Sequence, residues 1–126
     1  MGQLYTVFIK LDFDDKKAVN KALDKFFDKE PAFDKVNKSC FEDDLYWRLR
    51  VLTCNNQDSD TTYWEHLGLA QFTGIFHATY SWEKVLYNAW NAIKPTLNAG
   101  SFIQVYPDNG AWTLRVDEEL KGVTDE

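Results

Sequence analysis

The chain has 126 residues, a formal net charge of −6 at pH 7, and 44% hydrophobic and 16% aromatic residues. This length and composition predict one domain with its own core, covering residues 1–126, and argue against a disordered chain. The acidic charge argues against duplex nucleic acid as a partner, because such binding depends on many Lys and Arg contacts to phosphate. No apolar run approaches the ~20 residues of a membrane-spanning helix, so no membrane partner is expected.

The N-terminal residues and the cysteines predict a cytoplasmic protein. Residues 1–5 lack the basic region and the apolar run of a signal peptide. Cys40 and Cys54 are expected to be reduced, and their spacing matches no zinc-binding pattern. The sequence therefore predicts no metal site and no cofactor.

The first thirty residues predict a strand followed by a helix. Apolar and polar residues alternate from Tyr5 to Phe13, which is the period of a half-buried strand. Asp14 or Asp15 is expected to cap the helix, because its side chain can accept a hydrogen bond from a free backbone N–H. Pro31 is expected to end the helix. The apolar stripe between them consists of Val19, Ala22, Leu23, Phe26 and Phe27.

Residues 39–53 predict two strands joined by a turn. Residues 39–42 form a short strand candidate, and residues 43–44 form the turn. Apolar residues alternate from Leu45 to Val51, so a second strand is predicted over 45–53. The segment Trp-Arg-Leu-Arg-Val at 47–51 returns as Trp-Thr-Leu-Arg-Val at 112–116. This echo, about half a chain length away, indicates one supersecondary unit used twice.

A polar linker and a second unit are predicted after this strand. Residues 54–60 are rich in turn-forming residues. The role of residues 61–72 stays open, although Thr62-x-x-Glu65 matches a capping box that would open a short helix. A strand over 75–80 follows, and Ser81 is expected to cap the next helix. The apolar face of that helix is Trp82, Val85, Leu86, Ala89, Trp90 and Ile93.

The C-terminal part predicts a hairpin and an acidic tail. Strands are expected at 101–106 and 111–117, on either side of Pro-Asp-Asn-Gly at 107–110. Asn and Gly tolerate the positive φ angles that tight hairpin turns require. Residues 118–126 are acidic and are expected to fray.

Together these elements predict an α+β fold that is ferredoxin-like or a duplicated strand–helix–strand–strand unit. Repeat 1 covers about 4–53 and repeat 2 about 74–117, and both helices lie on one face of an antiparallel sheet. This topology is similar to that of the DNA-gyrase-inhibitor-like ligand-binding domains. The resemblance implies a ligand site in the cleft between the repeats, lined by aromatic residues and often a carboxylate.

Alternation along the strands predicts which side chains the helices leave uncovered. This uncovered face is basic and aromatic, although the whole chain is acidic. Arg and Tyr are the residue types that dominate binding hot spots, and Arg also binds carboxylate or phosphate through two parallel hydrogen bonds. The predicted binding residues are Phe8, Lys10, Tyr46, Arg48, Arg50, His77, Phe102, Tyr106 and Arg115, with Ile75, Thr79 and Gln104 beside them.

No arrangement of residues predicts catalysis. His77 begins a His-x-Thr pair that has no second copy in the chain. Ser81 lacks the glycines of a nucleophile elbow, and the adjacent acids at 42–44 do not converge as calcium ligands must. The chain is therefore not expected to be an enzyme.

The sequence favours a non-enzymatic binding module. The leading interpretation is a small acidic protein–protein inhibitor of the toxin-immunity or phage anti-defence type, for which size, acidity and lack of catalytic residues are the reasons. The first alternative is a domain that binds a small anionic planar ligand, such as a nucleotide, on the uncovered sheet face. The second alternative is a structural homo-oligomer such as a homodimer.

Overall fold

The computed structural model describes residues 3–36, 41, 44–53, 60–79, 81–107 and 110–116. Within these residues the protein has five strands and three helices, which confirms the predicted α+β class, although only two helices were predicted. The strands are β1 (Gln3–Asp12), β2 (Asp60–His66), β3 (Leu69–Ala78), β4 (Phe102–Tyr106) and β5 (Trp112–Arg115). The helices are α1 (Lys16–Lys29), α2 (Leu45–Thr53) and α3 (Trp82–Ile93), and short 3-10 turns follow α1 at Pro31–Phe33 and α3 at Lys94–Thr96.

Strand β1 lies in the middle of an open antiparallel sheet. The strand order is β2-β3-β1-β4-β5, and every neighbouring pair is antiparallel. Tyr5, Val7, Ile9 and Leu11 alternate along β1 and are all buried. The predicted alternation is therefore confirmed, and these four side chains form the centre of the core.

The helices cover one face of the sheet with apolar stripes that the sequence predicted. The side chains buried by α1 include Val19, Leu23, Phe26 and Phe27, and those buried by α3 are Leu86, Ala89, Trp90 and Ile93. Asp15 caps α1, since its side chain accepts a hydrogen bond from the Lys17 backbone N–H at 3.0 Å. Ser81 occupies the N-cap position of α3 but makes no capping hydrogen bond with its side chain.

The predicted strand over residues 45–53 is wrong, because this segment forms helix α2. Its buried residues, Leu45, Arg48, Leu49, Leu52 and Thr53, recur at helical spacing. Leu and Arg are good helix formers, and Asp44 accepts a hydrogen bond from the Tyr46 backbone N–H at 2.9 Å, as an N-cap does. The echoed sequence is thus helical at 47–51 and forms β5 at 112–115, so the two copies are not equivalent elements.

Helix α2 packs against β3 at Gly74. A Cβ atom at this position would lie 3.0 Å from the Phe72 ring and 3.3 Å from the Thr53 hydroxyl oxygen. The same hydroxyl donates a hydrogen bond to the Leu49 carbonyl at 3.0 Å. Glycine therefore allows a close approach that extends the helical layer over β3.

Residues 61–72 form β2 and the first part of β3, not a short helix. The connecting residues Leu67 and Gly68 have φ angles of 47° and 81°. Positive φ at both central residues is the requirement of a type I′ hairpin turn. The Gly68 carbonyl accepts a hydrogen bond from the Phe13 N–H at 2.9 Å, which ties the turn to the end of β1.

The predicted C-terminal hairpin is confirmed. Phe102 pairs with Arg115 and Val105 pairs with Trp112, in an antiparallel register. Several other predictions lie outside the described residues: both cysteines, the short strand over 39–42 except Phe41, the linker except Asp60, and the tail at 118–126.

An ion pair and a hydrogen bond link the edge strand β2 to the start of α1. Lys16 Nζ lies 2.9 Å from Glu65 Oε1, and the Tyr63 hydroxyl donates a hydrogen bond to the same oxygen at 2.8 Å. Burial raises the pKa of Glu65, but the hydrogen bonds from Lys16 and Tyr63 and the charge of Lys16 outweigh it, so the pKa lies below its ordinary value. Burial and then the bond to Glu65 raise the pKa of Tyr63, which keeps its hydroxyl protonated.

Glu65→Gln is expected to make the stability of the protein less sensitive to acid. Because the folded carboxyl has the lower pKa, the contribution of Glu65 is full above the ordinary carboxyl pKa and is lost as pH falls through the folded pKa. The side chains of Lys16 and Glu65 are 34% and 28% exposed, so their pairing is expected to contribute only about 0.5 kcal/mol to the free energy of unfolding. Urea unfolding at about pH 7 and about pH 3 measures this loss.

The matched control for this prediction is Asp34→Asn, which removes an exposed carboxylate next to the 3-10 turn. The loss of unfolding free energy between the two pH values should be smaller in Glu65→Gln than in this control. An equal loss in both variants would contradict the stabilising role of the Lys16–Glu65 pair.

Candidate functional site

The face of the sheet opposite the helices is the candidate binding surface. Burial alternates along β3: Ala70, Phe72, Gly74 and Phe76 are buried against the helical layer, and the residues between them are not. The same alternation holds for β1, where Phe8 and Lys10 keep part of their surface exposed. We call the outward-pointing residues of the five strands the open face.

Strand register arranges the open face in transverse rows. The first row is Trp64, Gln71, Lys10, Phe102 and Arg115. The second row is Thr62, Thr73, Phe8, Gln104 and Thr113, and the third is Asp60, Ile75, Thr6 and Tyr106. With strands ~4.8 Å apart, the rows are about 19 Å wide. The first two rows contain no carboxylate, although the chain is acidic.

A group of aromatic and cationic side chains lies where β1, β4 and β5 meet. The rings of Phe8 and Phe102 are in edge contact, with centroids 5.6 Å apart. The Arg115 guanidinium carbon lies 5.5 Å from the centroid of the Phe102 ring. Lys10 is the cross-strand neighbour of Phe102 on the other side. A guanidinium held by a ring in this way keeps N–H groups available for carboxylate or phosphate.

The open face also carries exposed apolar side chains. Leu4, Trp64, Ile75 and Tyr106 are each at least 40% exposed. Ile75 and Tyr106 both pair with Thr6 across the strands, and Leu4 is two residues away from Thr6 on β1. Leu4, Ile75 and Tyr106 therefore form an apolar end of the open face, while Trp64 lies on the edge strand β2. Exposed apolar side chains that cluster on one surface are more typical of an interaction site than of an ordinary solvated face.

Six of the nine predicted binding residues lie on the open face, and three do not. Those on the face are Phe8, Lys10, His77, Phe102, Tyr106 and Arg115. The prediction that Tyr46, Arg48 and Arg50 share this face is wrong, because their segment is helix α2 in the helical layer.

Arg48 is a buried structural residue. Its Nε lies 2.9 Å from Asp24 Oδ1 and its Nη2 lies 3.0 Å from Asp24 Oδ2. Its Nη1 also donates a hydrogen bond to the Asp44 carbonyl at 3.2 Å, and its guanidinium carbon lies 5.0 Å from the Phe41 ring centroid. The side chain is only 6% exposed, so it joins α2 to α1 and offers nothing to a ligand.

Tyr46 and Arg50 belong to a second aromatic group on the α2 flank. The Tyr46 ring centroid is 5.4 Å from that of Trp47 and 5.3 Å from that of Tyr63. The Arg50 guanidinium carbon lies 5.1 Å from the Trp47 ring centroid. Trp47 itself is 41% exposed.

Sequence reasoning also missed Trp64, because its segment was left unassigned. The alternation of Thr62, Trp64 and His66 is the signal that could have placed it on one face of a strand. Its indole ring centroid is 6.2 Å from that of His66 on the same side of β2.

The open face carries groups that can contact apolar and anionic surfaces. These groups are aromatic rings, the cations Lys10 and Arg115, and the side-chain amides of Gln71 and Gln104. Among the described residues, no cluster of three or more His, Cys, Asp or Glu side chains could hold a metal ion. No described helix is long and apolar enough to cross a membrane.

No protein-family model, curated protein or solved structure matches this chain. The functional inference therefore depends on the surfaces of the molecule.

Asp24→Ala is expected to destabilise the protein more than Arg48→Met. The first change leaves a buried guanidinium without its carboxylate, at a cost of about 2 kcal/mol after allowing for the partial exposure of Asp24. The second fills the same space with an apolar side chain and is expected to cost about 1 kcal/mol or less. Urea unfolding measures both free energies, with Arg50→Met as the matched control. A larger loss in Arg48→Met than in Asp24→Ala would contradict this account.

Proposed function

We propose that the protein is a non-enzymatic protein-binding module that uses its open face to hold a partner, as a small acidic inhibitor of the toxin-immunity or phage anti-defence type would. The observation that carries the proposal is the open face itself. It combines four exposed apolar side chains with a row of aromatic and cationic residues. Aromatic residues and arginine are enriched in the central contacts of protein interfaces.

The distribution of groups on the open face favours a protein over a small molecule. Ile75 and Tyr106 lie about 13 Å along the strands from the row that contains Lys10 and Arg115, and Leu4 lies about 20 Å from that row. A single mononucleotide does not need both regions, whereas a protein surface can contact both. The partner is expected to present an apolar patch next to carboxylates that face the two cations.

The area of the open face indicates that the interface continues beyond it. A sheet surface about 19 Å wide and about 20 Å long covers roughly half of the ~800 Å² that each partner contributes to a standard interface. Beyond Trp64 on β2, the neighbouring Tyr63 contacts Tyr46, whose ring contacts the exposed Trp47 on α2. We therefore expect the partner to extend over the β2 edge.

We infer that the sheet without β5 is a ferredoxin-like arrangement. Two features support this inference. In the strand order β2-β3-β1-β4, β3 lies between the strands of the unit β1-α1-β2, and β1 lies between the strands of the unit β3-α3-β4. Helices α1 and α3 also contact each other. Helix α2 then lies in the connection from α1 to β2, and β5 adds an edge strand. The likeness to DNA-gyrase-inhibitor-like domains stays a prediction.

The double variant Ile75→Arg with Tyr106→Ala is expected to lose the partner protein. Both side chains are exposed, at 40% and 45%, so the fold should persist. Native mass spectrometry on the tagged protein, captured from the lysate of its own host, is the measurement. A stoichiometric protein companion should be recovered with the wild type and should fall at least about tenfold with the double variant, as expected for two hot-spot residues.

The matched control is Tyr87→Ala, which removes a 49%-exposed aromatic side chain from α3. It should retain the companion. Equal recovery with the control and the double variant would contradict binding at the open face. A dimer of this chain without another companion would support the structural homo-oligomer instead.

A nucleotide or similar planar anion is the alternative ligand, and the contact between Phe102 and Arg115 is the observation that favours it. Phe8 and Phe102 provide rings near Lys10 and Arg115, so a base could stack while its phosphate meets the cations. Stacking of a base on an aromatic side chain contributes about 1–3 kcal/mol. This smaller site would use the central rows and leave the apolar end uncovered.

Under this alternative, Arg115→Ala and Lys10→Ala are expected to abolish the thermal shift that mononucleotides cause. Each change removes a cation that would meet the phosphate. Arg50→Ala is the matched control, because Arg50 also lies over an aromatic ring but on α2. Differential scanning fluorimetry with each common mononucleotide is the measurement. An unchanged wild-type melting temperature at millimolar nucleotide, or an equal effect of Arg50→Ala, would contradict the alternative.

A further inference from the structure

A groove lies between α1 and the end of α3, on the helical side of the molecule. Its volume is about 490 Å³. The lining combines three alanines and the Phe26 ring with three lysines and one threonine, and it contains no carboxylate. These residues are Ala18, Lys21, Ala22, Lys25, Phe26, Lys29, Ala92 and Thr96.

The lysines of the groove form a regular row on α1. Lys21, Lys25 and Lys29 are four residues apart, so their Cα atoms follow one face of the helix at ~6 Å intervals. Like charges at this spacing destabilise a helix. Among the described residues none of the three makes an ion pair. An anionic group in the groove would offset this repulsion.

Two other charged residues of α1 form ion pairs with residues of other elements. Lys16 pairs with Glu65, and Asp24 pairs with Arg48 on α2. The row from Lys21 to Lys29 is therefore a basic surface in a chain of net charge −6. Its neighbours Ala18, Ala22 and Phe26 add an apolar strip alongside the charges.

The shape and the charges together select the occupant. A groove between two helices accommodates a third helix, and an amphipathic helix can place apolar residues in it while its polar side contacts the rim. Glutamates four residues apart on such a helix recur every ~6 Å, which matches the lysine row. Duplex nucleic acid fits less well, because three lysines on an acidic protein neutralise few phosphates and the apolar strip would be unused.

We propose that this groove docks an acidic amphipathic helix of a second protein. Carboxylates of the helix contact Lys21, Lys25 and Lys29, and its apolar side chains cover Phe26 and the alanines. The groove and the open face lie on different layers of the fold. The protein could therefore hold one partner at each surface, and the groove does not depend on the function proposed for the open face.

The test uses a synthetic helical peptide of about 18 residues with glutamates at every fourth position and leucines on the adjoining stripe. Fluorescence anisotropy of the labelled peptide measures its affinity for the whole protein at low salt. Lys21→Gln with Lys25→Gln should weaken binding at least about fivefold, and Lys21→Glu with Lys25→Glu at least about tenfold. Far-UV circular dichroism of each variant checks that α1 persists.

The matched control is Lys35→Glu with Lys84→Glu, which makes the same change in net charge at exposed lysines outside the groove. Its affinity should stay within about twofold of the wild type. Amide NMR shifts should change at Ala18, Ala22 and Ala92 on peptide addition. A peptide with serine in place of leucine should bind at least about tenfold more weakly, because it lacks the apolar contacts.

Four results would overturn the proposal. They are no binding of the peptide at millimolar concentration, an equal loss in the matched control, equal affinity of the serine peptide, and shifts confined to the open face. The second and third results would show that the peptide binds through non-specific electrostatic attraction, and the fourth would show that it binds at the open face.

Discussion

The pairing of β1 with both β3 and β4 is the constraint on which the rest of the structure depends. It places Tyr5, Val7, Ile9 and Leu11 in one buried line. At about 2 kcal/mol for each buried apolar side chain, this line contributes roughly 8 kcal/mol before entropy is counted, which is comparable to the net stability of a small domain. A slip of one residue would move all four side chains to the opposite face, so the register is strongly specified.

Because the helices bury one face of the sheet, the other face is exposed to solvent. All three helices lie over the same side of the sheet, and Gly74 allows α2 to extend that layer over β3. The opposite side therefore presents the alternate residues of β1, β3 and β4 to solvent. Their identities, Phe8 and Phe102 with Lys10 and Arg115, make this face suited to recognition, since rings and cations bind apolar and anionic surfaces.

Much of this arrangement follows from sequence patterns, and the exceptions have physical causes. The alternation from Tyr5 to Leu11, the stripes of α1 and α3, and the final hairpin are strong local signals that the tertiary structure reinforces. The apolar spacing in residues 45–53 fits both a strand and a helix, because the four-residue step from Leu45 to Leu49 equals two strand repeats and about one helical turn. The internal echo favoured the strand, but the cap at Asp44 and the pairing of Arg48 with Asp24 stabilise a helix.

The same ambiguity limited what could be predicted about the binding surface. Phe8, Lys10, Phe102 and Arg115 could be assigned to the open face because their strands were recognised. Trp64 was missed, because the alternation of Thr62, Trp64 and His66 is short and Thr62-x-x-Glu65 also matches a capping box. The pairing of β2 with β3 through the turn at Leu67 and Gly68 decides in favour of the strand.

Hydroxyl-radical footprinting of the isolated protein, read by mass spectrometry, tests most directly the central claim that one sheet face is buried and the other is open. After correction for the intrinsic reactivity of each residue type, Trp64 and Tyr106 should be oxidised readily, and Tyr5 and Phe72 should be protected. Protection of Trp64 and Tyr106 to the level of Tyr5 and Phe72, at a concentration where the chain is monomeric, would contradict the open face.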